Sequence, residues 1–324
     1  MYFSKITATG ACVPDMVITN DDMAKIVDTS DEWISSRSGI RRRHFSQGEN
    51  TSDIAAKAAE MIIKKAGMDP LDIELLIVAT VSADYTTPST SCLVQSKIGA
   101  ENAVAFDIGA ACSGFIFGLS IADKYIKSGI YKNAVVIGAE VLSKYLDFED
   151  RGTCVLFGDG AAGVLLQATE ERTGILAEEI GSDGAKGMAL TGGFSPAGNA
   201  FNHIEKTAKR DLYMDGRAIF DFATRNVPKS VKKLLDNAQF NADDLDFVLP
   251  HQANSRIVEI ISRKLKVPMD KFYMNMDEYG NTSSASIPIA LNEMTEKGLI
   301  KSGDIGVLTG FGAGLTWGSM LVKF

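Results

Sequence analysis

Histidine, cysteine and tryptophan are scarce in this chain of 324 residues, at three, four and two copies. Four cysteines (Cys12, Cys92, Cys112 and Cys154) do not make a disulfide framework in a chain of this length, and none of their spacings suits zinc. Reduced thiols in a cytoplasm are the expectation. Basic excess is missing too. The formal net charge is −8, which argues against non-specific nucleic-acid binding. No apolar run reaches the roughly 20 residues that span a bilayer. The start, MYFSKITATG, has no basic stretch leading into an apolar one, so no signal peptide is expected. Short repeats, low-complexity linkers and charge blocks are also lacking.

What is present is a globular composition, 45% hydrophobic and 23% charged, at a length that suggests two core-sized units or one large one. Apolar β-rich runs alternate with helical patterns, as in α/β layers. Strands are expected at 74–81, 103–108, 134–139, 163–167, 247–250 and 305–309. Several are near-continuous apolar runs, the mark of strands covered on both faces. A helix is expected to open at Thr51–Ser52–Asp53, carry Ile54, Ala58, Met61 and Ile62 on one face, and close at Gly67. Others are expected over 113–127, 217–235, 255–265 and 283–296. The stretch 181–206, rich in Gly, Ser, Thr and Asn, has no period and reads as the connection between two halves.

In AVAFDIGAACSGFIFGLS a buried strand runs through small residues to Cys112 and on into an amphipathic helix. That puts the sulfur at a helix N-terminus, where partial positive charge favours thiolate. Gly109, Ala110, Ala111 and Gly114 leave room for backbone N–H groups to approach an acyl oxygen. Locally, a small core cysteine fits as well; Cys12, Cys92 and Cys154 lack the setting and read as core. His44, in RRRHF, and His203, in the glycine-rich stretch, read as surface residues. His251 follows the apolar FVLP and precedes a helix, at the strand end where open α/β sheets place their sites. It suits an acid, a base or a donor there, or equally a cap or turn. Asn281, in EYGNTSSAS, offers a neutral amide donor or simple turn chemistry. GFGAGLTWGS, residues 310–319, is either a hairpin turn or a place for a backbone N–H to face an oxyanion.

In their order along the chain, DIGAACSGF, PHQAN, YGNTSSAS and GFGAGLTWG resemble the β-ketoacyl-acyl-carrier-protein synthase III family, the initiating condensing enzymes of type II fatty-acid synthesis. DTSDEWISSRSGIRRRH and DRGTCVLFGDGAAG fit as well, and the resemblance runs from Ile6 to Phe324. Thiolases need a second catalytic cysteine in the C-terminal half, and here no cysteine lies beyond Cys154. The resemblance implies an α/β thiolase-like fold of five αβαβα layers. Its two pseudo-equivalent halves, 1–175 and 176–324, would each hold a mixed five-stranded sheet, and the chain would form a homodimer. It implies acyl-CoA and malonyl-acyl carrier protein as substrates, and no metal or redox cofactor.

The resemblance also implies roles. Cys112 takes the acyl group as a thioester. His251 and Asn281 hydrogen-bond the malonyl thioester carbonyl during decarboxylation, and the N–H groups of Cys112 and Ala313 form the oxyanion hole. Ala313 replaces a glycine of some members, which a backbone donor tolerates if its φ is negative. CoA contacts fall to Thr29, Trp33, Arg37, Arg151, Gly152, Met214, Gly216, Ile219, Phe220, Ala253 and Asn254, with Trp33 stacked on the adenine. Leu142, Phe157 and Phe311 are expected in the acyl pocket, the core, or both. Thr87 aligns with a partner-contributed residue at the pocket base; some members have Phe there and take only acetyl groups, so Thr fits longer or branched primers. An acidic carrier docking on an acidic enzyme needs a local basic patch. Gln252, Ala253, Asn254 and Ser255, with Arg256, Arg263, Lys264 and Lys266 beyond them, supply one, or a plain solvated face. The same machinery suits a synthase III-like enzyme of secondary metabolism. Hydroxymethylglutaryl-CoA synthase chemistry calls for an acidic base near the cysteine, and Glu140 is the one candidate. A non-catalytic acyl-CoA- or carrier-binding protein has no need of all three residues.

Overall fold

The computed structural model describes residues 2–202, 204, 207 and 210–324; His203 and Lys206 lie outside the described residues. In chain order come β1 (Phe3–Cys12), β2 (Met16–Thr19), α1 (Asn20–Met23), α2 (Asp31–Ser38), β3 (Arg42–Phe45), α3 (Thr51–Ala66), β4 (Leu75–Ala79), α4 (Thr90–Ile98), β5 (Val104–Ile108), α5 (Gly114–Lys127), β6 (Asn133–Glu140) and β7 (Gly160–Thr169). Then follow β8 (Gly174–Ser182), β9 (Leu190–Thr191), β10 (Tyr213–Met214), α6 (Gly216–Ala238), β11 (Phe247–Pro250), α7 (Ser255–Leu265), α8 (Met276–Tyr279), α9 (Ser286–Glu296), β12 (Ile305–Gly312) and β13 (Thr316–Lys323).

Two sheets carry the fold, ordered β1-β7-β6-β4-β5 and β8-β13-β12-β11. In the first, β4 runs parallel to β5 and β6, while β6–β7 and β7–β1 are antiparallel. The second repeats the pattern, with β11 parallel to β12, and β12–β13 and β13–β8 antiparallel. Its fifth position holds a single parallel bridge, Val248 to Phe272. Two five-stranded sheets were expected; among the described residues there are five strands and four. The connection between α7 and α8 spends Met269–Lys271 on a helical turn, which leaves Phe272 alone to pair.

Side chains alternate between the two faces of each sheet as period two requires. Leu75 and Ile77 of β4 face a central cluster with Phe115, Ile116, Leu119, Ile287 and Leu291, while Leu76 and Val78 face Ile54, Ala58 and Ile62 of α3. Both faces are apolar because both are covered. Helices α5 and α9 lie between the two sheets, α3 and α4 cover the outer face of the first, and α6 and α7 cover the outer face of the second. Burying Phe115, Ile116 and Leu119 stabilises this sandwich by about 1.5–3 kcal/mol each.

Three readings need correction. Helix α3 opens at Thr51 as expected, behind an Asn50–Asp53 capping box, but Met61 is 38% exposed, off the apolar face. Passage between the sheets is made by residues 170–173, between β7 and β8. The glycine-rich stretch begins within β8 and runs out from the second sheet. RRRHF is not a surface run: Arg43 is fully buried, and His44 packs its ring on Tyr279 with Nδ1 2.7 Å from the Pro14 carbonyl.

Candidate active site

The carboxyl ends of β5, β11 and β12 point to one end of the sandwich, where parallel strands place their sites. Cys112 follows β5 in the turn Ala111–Ser113 that leads into α5. Ala111 holds a left-handed φ of 46°, a conformation that costs a non-glycine residue of order 1–3 kcal/mol and collects at functional sites. The end of β12 presses on the same turn. A Cβ on Gly312 would lie 2.6 Å from the Cys112 nitrogen, so only glycine fits. Cys112 itself is buried, and burial pushes its thiol up to about 12; the Ser283 hydroxyl and its own N–H pull the other way, and Glu140 adds to the rise. The helix end expected to favour thiolate is outweighed by burial, and the resting group is the neutral thiol.

His251 follows β11, its N–H bonded to the Thr309 carbonyl at 2.7 Å. Its Nδ1 lies 2.6 Å from Ser286 Oγ, the first residue of α9. Ser286 Oγ also accepts the Gln252 N–H at 3.4 Å; when its own hydroxyl proton goes to Nδ1, the ring proton is on Nε2. Burial holds the imidazole down to about 3, so it is a neutral donor across the physiological range. Asn281 is pinned by its backbone: its N–H reaches the Leu156 carbonyl at 2.8 Å and its carbonyl accepts from Gly158 at 3.0 Å. Its Oδ1 accepts the Ser283 N–H at 2.9 Å, so the side chain offers its NH2 group.

These three residues line one cavity of about 300 Å3. Exposed Arg37 and Arg151 pack on Trp33 at its mouth, their guanidinium carbons 4.7 and 5.2 Å from the indole centroid. Gly152, Met214, Gly216, Ile219, Phe220, Ala253 and Asn254 line it between mouth and base, and Phe157 and Phe311 lie beside the three polar groups. Asn254 is fixed at both ends, Oδ1 capping α7 and Nδ2 on the Arg37 carbonyl at 2.9 Å. A second cavity, of about 360 Å3, lies against the other side of Cys112 and includes Leu142, Phe157, Ser283 and Ala313. Among described non-glycine residues, positive φ is confined to Ala111, Gln239, Lys266 and Ser283, so Ala313 meets the condition set for it.

Some expected residues are not brought together. Thr29 lines neither cavity, and its buried hydroxyl has no partner. Thr87 is exposed and lines neither cavity of its own chain. Gln252 is buried, so it is no docking residue. Its Nε2 bonds the Pro250 and Tyr273 carbonyls, and its Oε1 accepts from Asn275. Ser255 is half-buried, while Arg256, Arg263, Lys264 and Lys266 are exposed. Glu140, the one acidic candidate for a base, lines neither cavity.

Sequence reasoning missed Ser286, which orients His251, Ser283, which holds Asn281, and Arg43. Arg43 donates to the Val155 carbonyl at 2.5 Å and to Asn20 Oδ1 at 2.9 Å, anchoring the segment on which Asn281 rests. Arg43 sits in a run of three arginines and the serines in the run TSSAS, and neither run carried a local signal of these roles. Among the described residues, no group of three or more His, Cys, Asp or Glu is placed to hold a metal, and no helix is long and apolar enough to cross a membrane.

Comparison with known proteins agrees with this geometry. Residues 106–184 match the family described as 3-oxoacyl-[acyl-carrier-protein (ACP)] synthase III, and residues 235–324 match its C-terminal part. A β-ketoacyl-[acyl-carrier-protein] synthase III of Clostridium acetobutylicum is 51% identical over 320 residues, covering 99% of this chain and 98% of that protein. One from Streptococcus uberis is 51% identical over 325 residues and all of both chains. The crystal structure of 3-oxoacyl-[acyl-carrier-protein] synthase III from Aquifex aeolicus superposes with a TM-score of 0.93 at 42% identity, covering 99% of this chain and 100% of that one. Fold and relatives together define a thiolase-fold condensing enzyme of the acyltransferase type. The chain belongs to the β-ketoacyl-[acyl-carrier-protein] synthase III family.

Proposed function

We propose that this enzyme transfers an acyl group from acyl-CoA to Cys112 and condenses it with malonyl-acyl carrier protein, giving β-ketoacyl-carrier protein, CoA and CO2 and so initiating fatty-acid synthesis. The observation that carries this reading is the convergence of Cys112, His251 and Asn281 on one channel, with both hydrogen-bond donors neutral. CoA enters past Trp33, whose indole stacks on adenine once an arginine swings aside, and its pantetheine arm runs along Met214, Ile219 and Ala253. Thr29 and Gly152 belong to the rim near the nucleotide. Cys112 forms the thioester, and the acyl chain extends into the second cavity beside Leu142 and Phe157. Once CoA has left, the malonyl arm of the carrier takes the same channel. His251 Nε2–H and the Asn281 amide donate to its thioester oxygen, where charge builds as CO2 departs. The carbanion attacks the acyl carbonyl, whose oxygen is held by the N–H groups of Cys112 and Ala313. Arg256, Arg263 and Lys264 form the carrier-docking face.

The working unit in this reading is a cytoplasmic homodimer. Support comes from β5, an edge strand with one side unpaired and Val104 48% exposed, an arrangement that invites pairing with a second chain. Thr87 reaches the acyl pocket only from a partner, and its modest bulk suits primers longer or more branched than acetyl. No metal or redox cofactor enters this scheme. Intact-mass analysis after incubation with acetyl-, isobutyryl- and octanoyl-CoA tests it. A thioester-labile adduct with each primer is expected on the wild type and none on Cys112→Ala. An unmodified wild type, or an adduct that survives in Cys112→Ala, contradicts the reading.

A further inference from the structure

Glu140 ends β6 with no exposed surface. A buried carboxylate is costly unless donors surround it, and here they come from two segments. Val81 N–H at 3.1 Å, Ser82 Oγ at 2.6 Å and Thr80 Oγ1 at 3.2 Å donate to Oε2. Ser284 Oγ at 2.9 Å and Ser283 Oγ at 3.2 Å donate to Oε1. Ser283 links this cluster to the chemistry. Ser283 and Cys112 line the second cavity together, and the serine hydroxyl pulls the proton affinity of the thiol down. The Ser283 φ of 50° is left-handed, which a serine keeps only where its surroundings over-determine it. Ser283 therefore adjoins both the carboxyl and the thiol.

We infer that Glu140 stores the Cys112 proton while the cysteine is acylated, with the Ser283 hydroxyl as relay; the inference rests on the acyl-transfer reading above. In loading, Ser283 gives its hydroxyl proton to Glu140 Oε1 and takes the thiol proton. The sulfur bonds the acyl carbonyl carbon, the bond from that carbon to CoA sulfur breaks, and the departing CoA thiolate takes a proton from solvent. In condensation the carbanion displaces Cys112 as thiolate, which recovers its proton from Glu140 through Ser283. One solvent proton is consumed per cycle, and the pocket never holds two negative charges at once. Burial raises both Cys112 and Glu140, and the Glu140 charge raises Cys112 further. The other titratable groups that sense Glu140 are Lys144 and Tyr145, with Asp84 and Asp159 facing Lys144.

Single-turnover acyl-adduct formation, followed by intact mass from neutral to alkaline pH, tests this on the full-length enzyme. Glu140→Gln keeps the side chain's size and loses its proton acceptor. Ser283→Gly removes the relay and adopts a φ of 50° freely. Both are expected to load about 100-fold more slowly at neutral pH, with rates that climb with hydroxide where the wild type is flat. In Glu140→Gln, whose side chain lines neither cavity, KM for acyl-CoA and malonyl-carrier decarboxylation should be unchanged. A wild-type pH profile in either folded variant overturns the inference. So does parallel loss of both half-reactions in Ser283→Gly with a lowered Tm, which would make the cluster structural. A wild type that forms no adduct instead overturns the acyl-transfer reading.

Discussion

His251 is neutral because burial removes the water that would solvate an imidazolium, and no carboxylate stands beside it to compensate. Its proton affinity is held at about 3 where an unfolded chain would show the ordinary 6.5. Below pH 6.5 the unfolded chain therefore binds a proton that the folded one refuses, and stability falls as pH falls toward 3. The full slope is about 1.4 kcal/mol per pH unit. His251→Gln cannot titrate, so its urea-denaturation stability should lose about 2 kcal/mol less than that of the wild type between pH 7 and 5. Equal losses would show that the imidazole is solvated or ion-paired. At this scale the sequence announced Cys112, His251 and Asn281 only as one reading among others. What local wording could not convey was contact across the chain: Ser286 lies 35 residues from His251, and Arg43 is 112 residues from the Val155 carbonyl it holds.

Among the elements, α7 shows how one helix serves core and surface together. Ile257, Val258, Ile261 and Leu265 are buried on one side, while Arg256 and Arg263, seven residues apart, are exposed. Its N-cap, Asn254, is part of the channel wall, so the basic face begins where the channel opens. Arg256→Glu should raise KM for malonyl-carrier protein about tenfold, roughly 1.4 kcal/mol, and leave loading from acyl-CoA within about twofold. Equal loss in both half-reactions would remove the docking role. Elements with a strong period or continuous apolar runs were legible: β11 and α7 fall on the expected residues. β1 and β8 were not, because their burial is mixed along the strand. Composition misled at 181–206, since a channel-side excursion and an interdomain linker are rich in the same small residues.

Across the whole molecule, the two sheets share strand order and direction, and helices α5 and α9 occupy equivalent central places. Cys112 precedes one and Asn281 the other, so a repeated architecture delivers the nucleophile and a donor to the same channel. Composition and periodicity could not show this, because the halves repeat topology and not wording; it was legible only through the family resemblance. The account stands on a division of labour in that channel, with Cys112 loading and the His251–Asn281 pair decarboxylating. Separate assay of the two half-reactions measures it most directly. Asn281→Asp keeps the acceptor for the Ser283 N–H and loses the donor, so it should still form the acyl adduct while malonyl-carrier decarboxylation falls about 100-fold or more. Cys112→Ala should lose the adduct and keep decarboxylation. Loss of both half-reactions together in each folded variant would contradict the division.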